Sequence, residues 1–127
     1  MNRDPQAMLP LTPAMFHILL TLTAGPLHGY RIMQEVDRLS GGSLRLGQGT
    51  LYRSTQRMVI DGLIEEIDTN PKDESFDARR RTYRPTPYGA AVARAEAQRL
   101  RSLVEAAEDH GLLTKSVTRR SGGRRRH

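Results

Sequence analysis

The sequence predicts a mainly α protein of the α+β class, with four helices and one β-hairpin. Apolar residues recur at helical spacing in successive segments of the first half, bounded by Thr, Pro and Gly residues that start and stop helices. Two short strand-like segments flank a polar loop, and a long segment rich in Ala, Glu, Gln, Arg and Leu follows them. A chain of 127 residues can hold one domain with a modest core, plus an arm or tail.

The first helix is predicted to follow an N-terminal arm of residues 1–10. Thr12 is a plausible N-cap, and Pro13 takes the first helical position, where its missing N–H costs nothing. Gly25-Pro26 ends this helix. Spacing of i, i+3, i+4 and i+7 gives a single apolar stripe of Met15, Ile18, Leu19 and Leu22.

A second helix is predicted after His28-Gly29 and stops at Gly41-Gly42. Its predicted inward residues are Ile32, Met33, Val36 and Leu39.

The third helix is predicted to start near Gly49 or Thr50 and to close at the step Gly62-Leu63-Ile64. Its inward face consists of Leu51, Thr55, Met58 and Gly62. Its outward face consists of Thr50, Arg53, Arg57 and Ile60, with Gln56 beside Arg57. An outward face of Thr, Arg and Gln differs from the usual Lys/Glu solvated surface, and it favours DNA readout over an ordinary exposed face.

A β-hairpin is predicted next, with a strand through Ile67, a polar loop over residues 70–77 and a return strand through Thr82 and Tyr83. Alternation places Tyr83 on one face and Arg80, Thr82 and Arg84 on the other, and Pro85 ends the ladder. Helix, strand, loop and basic strand in this order are what a winged helix-turn-helix needs. We therefore assign residues 11–86 to a winged helix-turn-helix domain with a β-hairpin wing.

The longest helix is predicted from Pro87 to about His110, with Thr86 as its N-cap. Its apolar side consists of Val92, Ala95, Leu100, Leu103, Val104 and Ala107. Glu96 and Arg99 interrupt this stripe, which is too short for a free coiled coil but sufficient to pack on a partner's helices. Burial within its own subunit is the alternative. We favour a dimerisation helix over residues 87–113, which makes a second copy of the chain a partner.

The net charge of +6 resides entirely in the last residues of the chain. The cations there are Lys115, Arg119, Arg120, Arg124, Arg125 and Arg126, with no acid among them. A basic tail interrupted by Ser and Gly is predicted to be disordered over residues 114–127, and its attraction to polyanions is unselective. The tail is either a solvated extension or a DNA tether.

Composition and motifs argue against several other classes. The chain has no cysteine, no secretory signal pattern and no apolar run long enough to span a membrane, so we expect a soluble cytoplasmic protein with no membrane partner. The four histidines lie far apart without metal-ligand spacing, and Gly47-Gln48-Gly49 lacks the third glycine of a dinucleotide fingerprint. No nucleophile, base and orienting group come together. We therefore predict no cofactor, no metal and no enzymatic activity.

Four motifs in order resemble those of the PadR family of bacterial transcriptional regulators. The family's second helix opens with His-Gly-Tyr, matched by His28-Gly29-Tyr30, and its recognition helix opens with Gly-Thr-Leu-Tyr, matched by Gly49-Thr50-Leu51-Tyr52. The helix-to-strand step is matched by Gly62-Leu63-Ile64. The basic return strand and the Thr-x-x-Gly that follows it are matched by residues 79–83 and by Thr86-Pro87-Tyr88-Gly89.

The resemblance covers about residues 11–89 and implies a homodimeric repressor whose C-terminal helix contacts its mate. It also implies a small-molecule effector bound near the dimer interface. Two departures concern DNA contact. Arg53 stands where the family often has Pro, and the loop acids Asp73, Glu74 and Asp77 outnumber Lys72, so wing contacts should come from the basic base of the hairpin.

The leading hypothesis is a regulator that binds double-stranded DNA with its third helix in the major groove and spans a roughly palindromic operator as a dimer. Arg53 and Arg57 are candidates for guanine edges or phosphates, and Gln48 and Gln56 for adenine edges. The backbone contacts are assigned to Thr50 and Tyr52, the wing contacts to Lys72, Arg79, Arg80 and Arg81, and a phosphate contact at the second helix to Tyr30 and Arg31. The alternative is a winged-helix dimer used for protein–protein interaction, with non-specific nucleic-acid binding through the basic tail.

Overall fold

The computed structural model describes residues 3–67 and 78–115. The predictions for Lys72, for the tip of the hairpin and for most of the basic tail lie outside these residues. The helices are α1 (Pro13–Thr21), α2 (Gly29–Leu39), α3 (Gln48–Ile60) and α4 (Pro87–Asp109), and the strands are β1 (Leu27–His28), β2 (Ile64–Ile67) and β3 (Thr82–Pro85). Short 3-10 helices cover Pro5–Met8 and Ala78–Arg80. The predicted mainly α, winged-helix fold is confirmed.

The sheet has three antiparallel strands in the order β1-β3-β2. Tyr83 in the central strand is paired with Leu27 on one side and with Glu66 on the other. The prediction that Pro85 ends the ladder is confirmed, whereas the prediction that Arg80 lies in the return strand was wrong. Pro85 is the last residue of β3 and lies opposite Ile64, and Arg80 belongs to a 3-10 turn and not to the strand. Pro is tolerated at the end of a strand because no further ladder N–H is needed there.

The core lies between the three short helices and the sheet. Its fully buried side chains include Ile18, Leu19, Leu22, Ile32, Val36, Leu51, Met58, Leu63, Ile64, Tyr83 and Val92. The inward faces predicted for α1 and α3 therefore agree with the structure. Leu39 does not follow the prediction for α2, because it is exposed at the helix end, and Leu44 and Leu46 of the following loop pack on the core instead.

The junction between α3 and β2 is tightly built. Gly62 has φ +77°, and the N–H groups of Gly62 and Leu63 donate to the carbonyls of Val59 and Met58, which is the Schellman pattern at a helix end. Gly89 in the first turn of α4 lies against this junction. A Cβ on Gly89 would come within 1.8 Å of the Leu63 carbonyl oxygen, so only glycine allows the close approach.

The chain divides into two compact units, residues 1–96 and residues 97–127. The first contains the sheet, α1 to α3 and the start of α4. The interface prediction for Val92 was wrong, since its side chain is fully buried in this unit's own core. Glu96, expected to interrupt the stripe, is only 2% exposed and accepts a hydrogen bond from the Leu11 N–H at 3.1 Å. Ala95 is half-buried in the same unit.

The second unit contains the remainder of α4. Leu103 and Val104 are exposed there, and Leu100 and Ala107 are half-buried. None of the described helices has both the length and the apolar composition that a membrane span requires.

Candidate nucleic-acid interface

Arg57 projects from the outward face of α3 with its side chain 70% exposed. Its Nε donates to the Asp61 carboxylate one helical turn later, at 3.1 Å. Within the described residues this is its one hydrogen-bond partner, and both terminal Nη groups are left for an external acceptor. The terminal nitrogens are the pair that can bond guanine O6 and N7 together, so Asp61 orients the guanidinium without occupying its reading edge.

Arg53 lies one turn closer to the start of α3 and is also exposed. Its Nη2 is 3.3 Å from the Thr50 hydroxyl, and its Nη1 would be 3.2 Å from a Cβ on Gly49. The absence of a side chain at Gly49 therefore lets the guanidinium lie along the first turn of the helix. Arg53 and Arg57 together give the outward face two cations about one turn apart.

The first turns of α3 and α2 are both without a side-chain cap, since neither Gly47 nor His28 makes one. N–H groups at an uncapped helix start can bind a phosphate oxygen. Gln48 and Tyr30 are exposed beside these two helix starts. Thr50, Tyr52 and Gln56 are half-buried, and Tyr52 also packs on the core.

The base of the wing sits against α2 and α3 through the turn Ala78–Arg80. The Arg79 guanidinium lies over the Tyr30 ring, 5.6 Å from its centroid, within the range of a cation–π contact. Arg80 is exposed. These residues bring the wing cations and the start of α2 onto one surface. Arg31, also at the start of α2, is 3.4 Å from Glu35.

Arg81 departs from the predicted role. Its Nη1 donates to the Glu66 carboxylate at 2.8 Å, and its side chain is only 19% exposed. The hydrogen bond from the guanidinium to Glu66 raises the pKa of Arg81. Because its guanidinium is bonded to Glu66 and mostly buried, Arg81 is not among the DNA contacts proposed below.

The His28-Gly29 motif attaches the wing to α2. The Gly29 N–H donates to the Arg81 carbonyl at 2.9 Å, and the His28 Nδ1 is 2.8 Å from the Thr82 hydroxyl. With β1 paired to β3, these bonds fix the return strand of the wing against the start of α2. His28 thus has a structural role that its sequence context did not indicate.

Glu35 and Asp37 bring their charges close to the basic surface of α2. Glu35 accepts from Arg38 as well as pairing with Arg31, and the hydrogen bond from Arg38 lowers the pKa of Glu35. Arg45, missed in the sequence analysis, is 80% exposed just before α3 and its Nε lies 3.2 Å from the Asp37 carboxylate. The sequence feature that could have identified Arg45 is its position, as a cation in the loop that leads to α3.

In the part of the chain that the structure describes, no group of three or more His, Asp and Glu side chains could hold a metal ion. What the geometry brings together is a helix with an outward arginine face, the start of a second helix and a basic wing base that packs against both helices. This arrangement defines a winged helix-turn-helix DNA-binding protein.

Residues 18–95 match the family model of the PadR-like transcriptional regulators, and the chain belongs to that family. It is accordingly a DNA-binding transcriptional regulator and not an enzyme. The suspected resemblance is confirmed.

Solved structures share the fold at low sequence identity. A PadR family regulator from Clostridium difficile R20291 is 21% identical, with a TM-score of 0.62, and the match covers 78% of this chain and 98% of that one. The transcriptional regulator Cth-833 from Clostridium thermocellum is 22% identical, with a TM-score of 0.61 and coverage of 79% and 90%. MarR from E. coli in its apo form is 19% identical, with a TM-score of 0.58 and coverage of 93% and 76%.

A curated relative is an uncharacterized 37.1 kDa protein in transposon TN4556 of Streptomyces fradiae. It is 31% identical over 90 residues, which make up 71% of this chain. The matched part covers only 24% of that relative's length.

Proposed function

We propose that the protein is a sequence-specific repressor that binds DNA as a homodimer. Each subunit places α3 in a major groove, and the two half-sites lie about one helical turn apart. The observation that carries the proposal is Arg57, which is exposed, oriented by Asp61 and left with both terminal nitrogens free among the described residues. Arg53 extends the same face toward the helix start.

The remaining contacts in the proposal position the helix and do not read bases. Uncapped helix starts at α2 and α3 receive phosphates, with Tyr30, Thr50 and Tyr52 beside them. Arg79 and Arg80 reach the flanking backbone from the wing base. Gln48 and Gln56 are the candidates for adenine edges.

The homodimer is proposed to form through the second half of α4. Leu103 is 54% exposed on this helix, and Val104 beside it is also exposed. Adjacent exposed aliphatic side chains on a helix are typical of a surface that a partner covers. The small-molecule effector implied by the resemblance stays a prediction.

The test begins with DNA selected from a random pool by the purified protein. Affinity for the selected DNA and for random DNA is then measured by fluorescence anisotropy for the wild type and for Arg57→Ala. The variant should lose about 1–3 kcal/mol on the selected DNA and little on random DNA. Arg94→Ala, which removes an exposed arginine from α4, is the matched control and should bind like the wild type.

A truncation after Thr114 separates this proposal from binding through the basic tail alone. If α3 reads the sequence, the truncated protein binds more weakly but keeps its preference for the selected DNA. Complete loss of DNA binding on truncation, together with no effect of Arg57→Ala, would overturn the proposal.

A further inference from the structure

The N-terminal segment of residues 3–10 is docked on the end of α3. Arg3 donates from Nη2 to the Asp61 carbonyl oxygen at 2.6 Å, and its guanidinium lies 3.9 Å from the centroid of the Tyr88 ring. The Tyr88 hydroxyl is in turn 3.4 Å from the Asp4 carbonyl oxygen. One guanidinium therefore contacts both the last turn of α3 and the first turn of α4.

Asp61 connects the Arg3 contact to Arg57 on the outward face of α3. It is the C-cap of α3, and its carboxylate is the group that holds Arg57 Nε at 3.1 Å. Carbonyls at a helix C-terminus lack intrahelical donors and carry partial negative charge, so a cation there stabilises the last turn. Arg3 thus binds the backbone of the residue whose side chain orients Arg57.

Gly62 shows how closely Arg3 fits this end of the helix. A Cβ built on Gly62 would lie 2.5 Å from Arg3 Nη2. The guanidinium occupies the space that a side chain at position 62 would need. The positive φ of Gly62 and the position of Arg3 therefore belong to the same packed junction.

The segment is held at its other end as well. Met8 and Leu9 pack on the core, and the Leu11 N–H donates to the buried Glu96 carboxylate at 3.1 Å. Asp4 caps the short helix Pro5–Met8 by accepting from the Gln6 N–H at 2.9 Å. These anchors place Arg3 at a defined point on the body and not at the end of a free arm.

We propose that Arg3 is a positioning residue for DNA recognition, acting through Asp61 to orient Arg57. This inference rests on the proposed function, because it gives Arg3 a role only if Arg57 reads DNA. A direct phosphate contact by Arg3 is the competing role. The observed contacts with the Asp61 carbonyl and the Tyr88 ring favour positioning, since they engage the guanidinium inside its own subunit.

The first arm of the test uses the free, full-length protein with an unmodified N-terminus. Amide hydrogen exchange is measured at Asp61, Gly62 and Leu63 in the wild type, Arg3→Ala and the control Arg94→Ala. Loss of the guanidinium should speed exchange at these three amides several-fold, because the last turn of α3 opens more easily. Arg94→Ala should leave them unchanged.

The second arm is a double-mutant cycle on the selected DNA with Arg3→Ala, Arg57→Ala and the double variant. Arg3→Ala alone should weaken binding about three- to tenfold, and should weaken it far less when Arg57 is already Ala. The slope of log K against log salt should not change for Arg3→Ala. Arg3→Lys, which keeps a cation and donors, should recover part of the affinity.

Several results would overturn the proposal. Unchanged amide exchange in Arg3→Ala would show that the contact does not hold the helix end. If the affinity losses of Arg3→Ala and Arg57→Ala simply add in the double variant, Arg3 does not act through Arg57. If Arg3→Ala reduces the slope of log K against log salt by about 0.9, Arg3 makes a direct phosphate contact. A wild-type protein with no preference for any DNA would instead overturn the proposed function, and the recognition role of Arg3 with it, even where the exchange result stands.

Discussion

Arg57 and Arg81 show how local geometry separates residues that look alike in the sequence. The sequence assigned both arginines to DNA contact, and both pair with a carboxylate in the structure. Arg57 uses only Nε for Asp61 on an exposed helix face, whereas Arg81 donates a terminal nitrogen to Glu66 beside the sheet. The second pairing depends on cross-strand register. Because the sequence alone does not give this register, it predicted a DNA contact at both positions.

Arg81→Ala should lower the free energy of unfolding by about 1–2 kcal/mol, because it removes the guanidinium that donates to the half-buried Glu66 carboxylate. Arg84→Ala is the matched control, since Arg84 pairs with Glu65 at 2.8 Å but both side chains are about half exposed. Its loss should stay below about 1 kcal/mol. Urea denaturation of the two variants measures the difference. Equal losses would show that Arg81 is no more structural than Arg84.

Tyr83 should make the protein sensitive to alkaline pH. Burial raises the pKa of this phenol above its usual value of 10.0, partly offset by its hydrogen bond with Thr55. Below the pKa of the unfolded chain, Tyr83 is neutral in both the folded and the unfolded state. Above about pH 10 the unfolded chain loses this proton more readily than the folded one, so the free energy of unfolding should fall as the pH rises. Urea midpoints of the wild type and Tyr83→Phe, compared between pH 7 and 10.5, check this. A wild-type midpoint that falls no faster than that of Tyr83→Phe would contradict the burial argument.

At the scale of elements, helices were predictable because their start and stop residues act locally. The Thr12 hydroxyl accepts from the Met15 N–H at 3.1 Å, and the Thr86 hydroxyl accepts from the Gly89 N–H at 2.9 Å, as capping predicts. The strand β1 was not predicted, because a strand of two residues is too short to show an alternation of apolar and polar residues. It exists only because β3 lies beside it in the folded chain.

The predicted recognition face followed from helical periodicity, so its outward residues could be named in advance. The ion pair of Arg57 with Asp61 could not, because helical periodicity predicts which face a side chain lies on and not which group it contacts. The docking of residues 3–10 depends on contacts between distant parts of the chain, such as Arg3 with Tyr88. Local sequence patterns contain no signal for such contacts.

Gly89→Ala tests the junction between α4 and the α3–β2 step. The added Cβ would overlap the Leu63 carbonyl oxygen, and neither backbone can move away freely, so the unfolding free energy should fall by about 3 kcal/mol or more. Gly47→Ala is the control, because a Cβ there has no atom of the described residues within 4 Å. Its effect should stay within about 1 kcal/mol. Similar melting of the two variants would mean that the close approach is not required.

In the molecule as a whole, the two compact units differ in how far their apolar side chains are buried. Residues 1–96 bury their own apolar side chains, including Val92 of α4. The apolar spacing of α4 continues into the second unit, where Leu103 remains exposed. The sequence predicted one interface stripe along α4, interrupted by Glu96 and Arg99. In the structure Val92, at the start of this stripe, is buried in its own unit, and Leu103, in the later part, is exposed.

The double variant Leu100→Glu/Leu103→Glu should be monomeric, because two carboxylates would be buried unpaired in the proposed interface. Size-exclusion chromatography with light scattering measures the mass directly. Ser102→Glu adds a charge at an exposed position of the same helix and should leave the dimer intact. A double variant that stays dimeric would move the interface away from this part of α4.

In the proposed function, α3 reads DNA sequence through Arg57 in each subunit of a symmetric dimer. The direct measurement is selection from a random DNA pool, carried out in parallel with the wild type and Arg57→Ala. The wild type should enrich a palindromic motif with half-sites about 10 base pairs apart, centre to centre. The variant should enrich the same motif with sequence preference lost at one symmetric position in each half-site. Identical motifs with equal preference at every position would contradict the claim, as would a wild-type selection that enriches no motif.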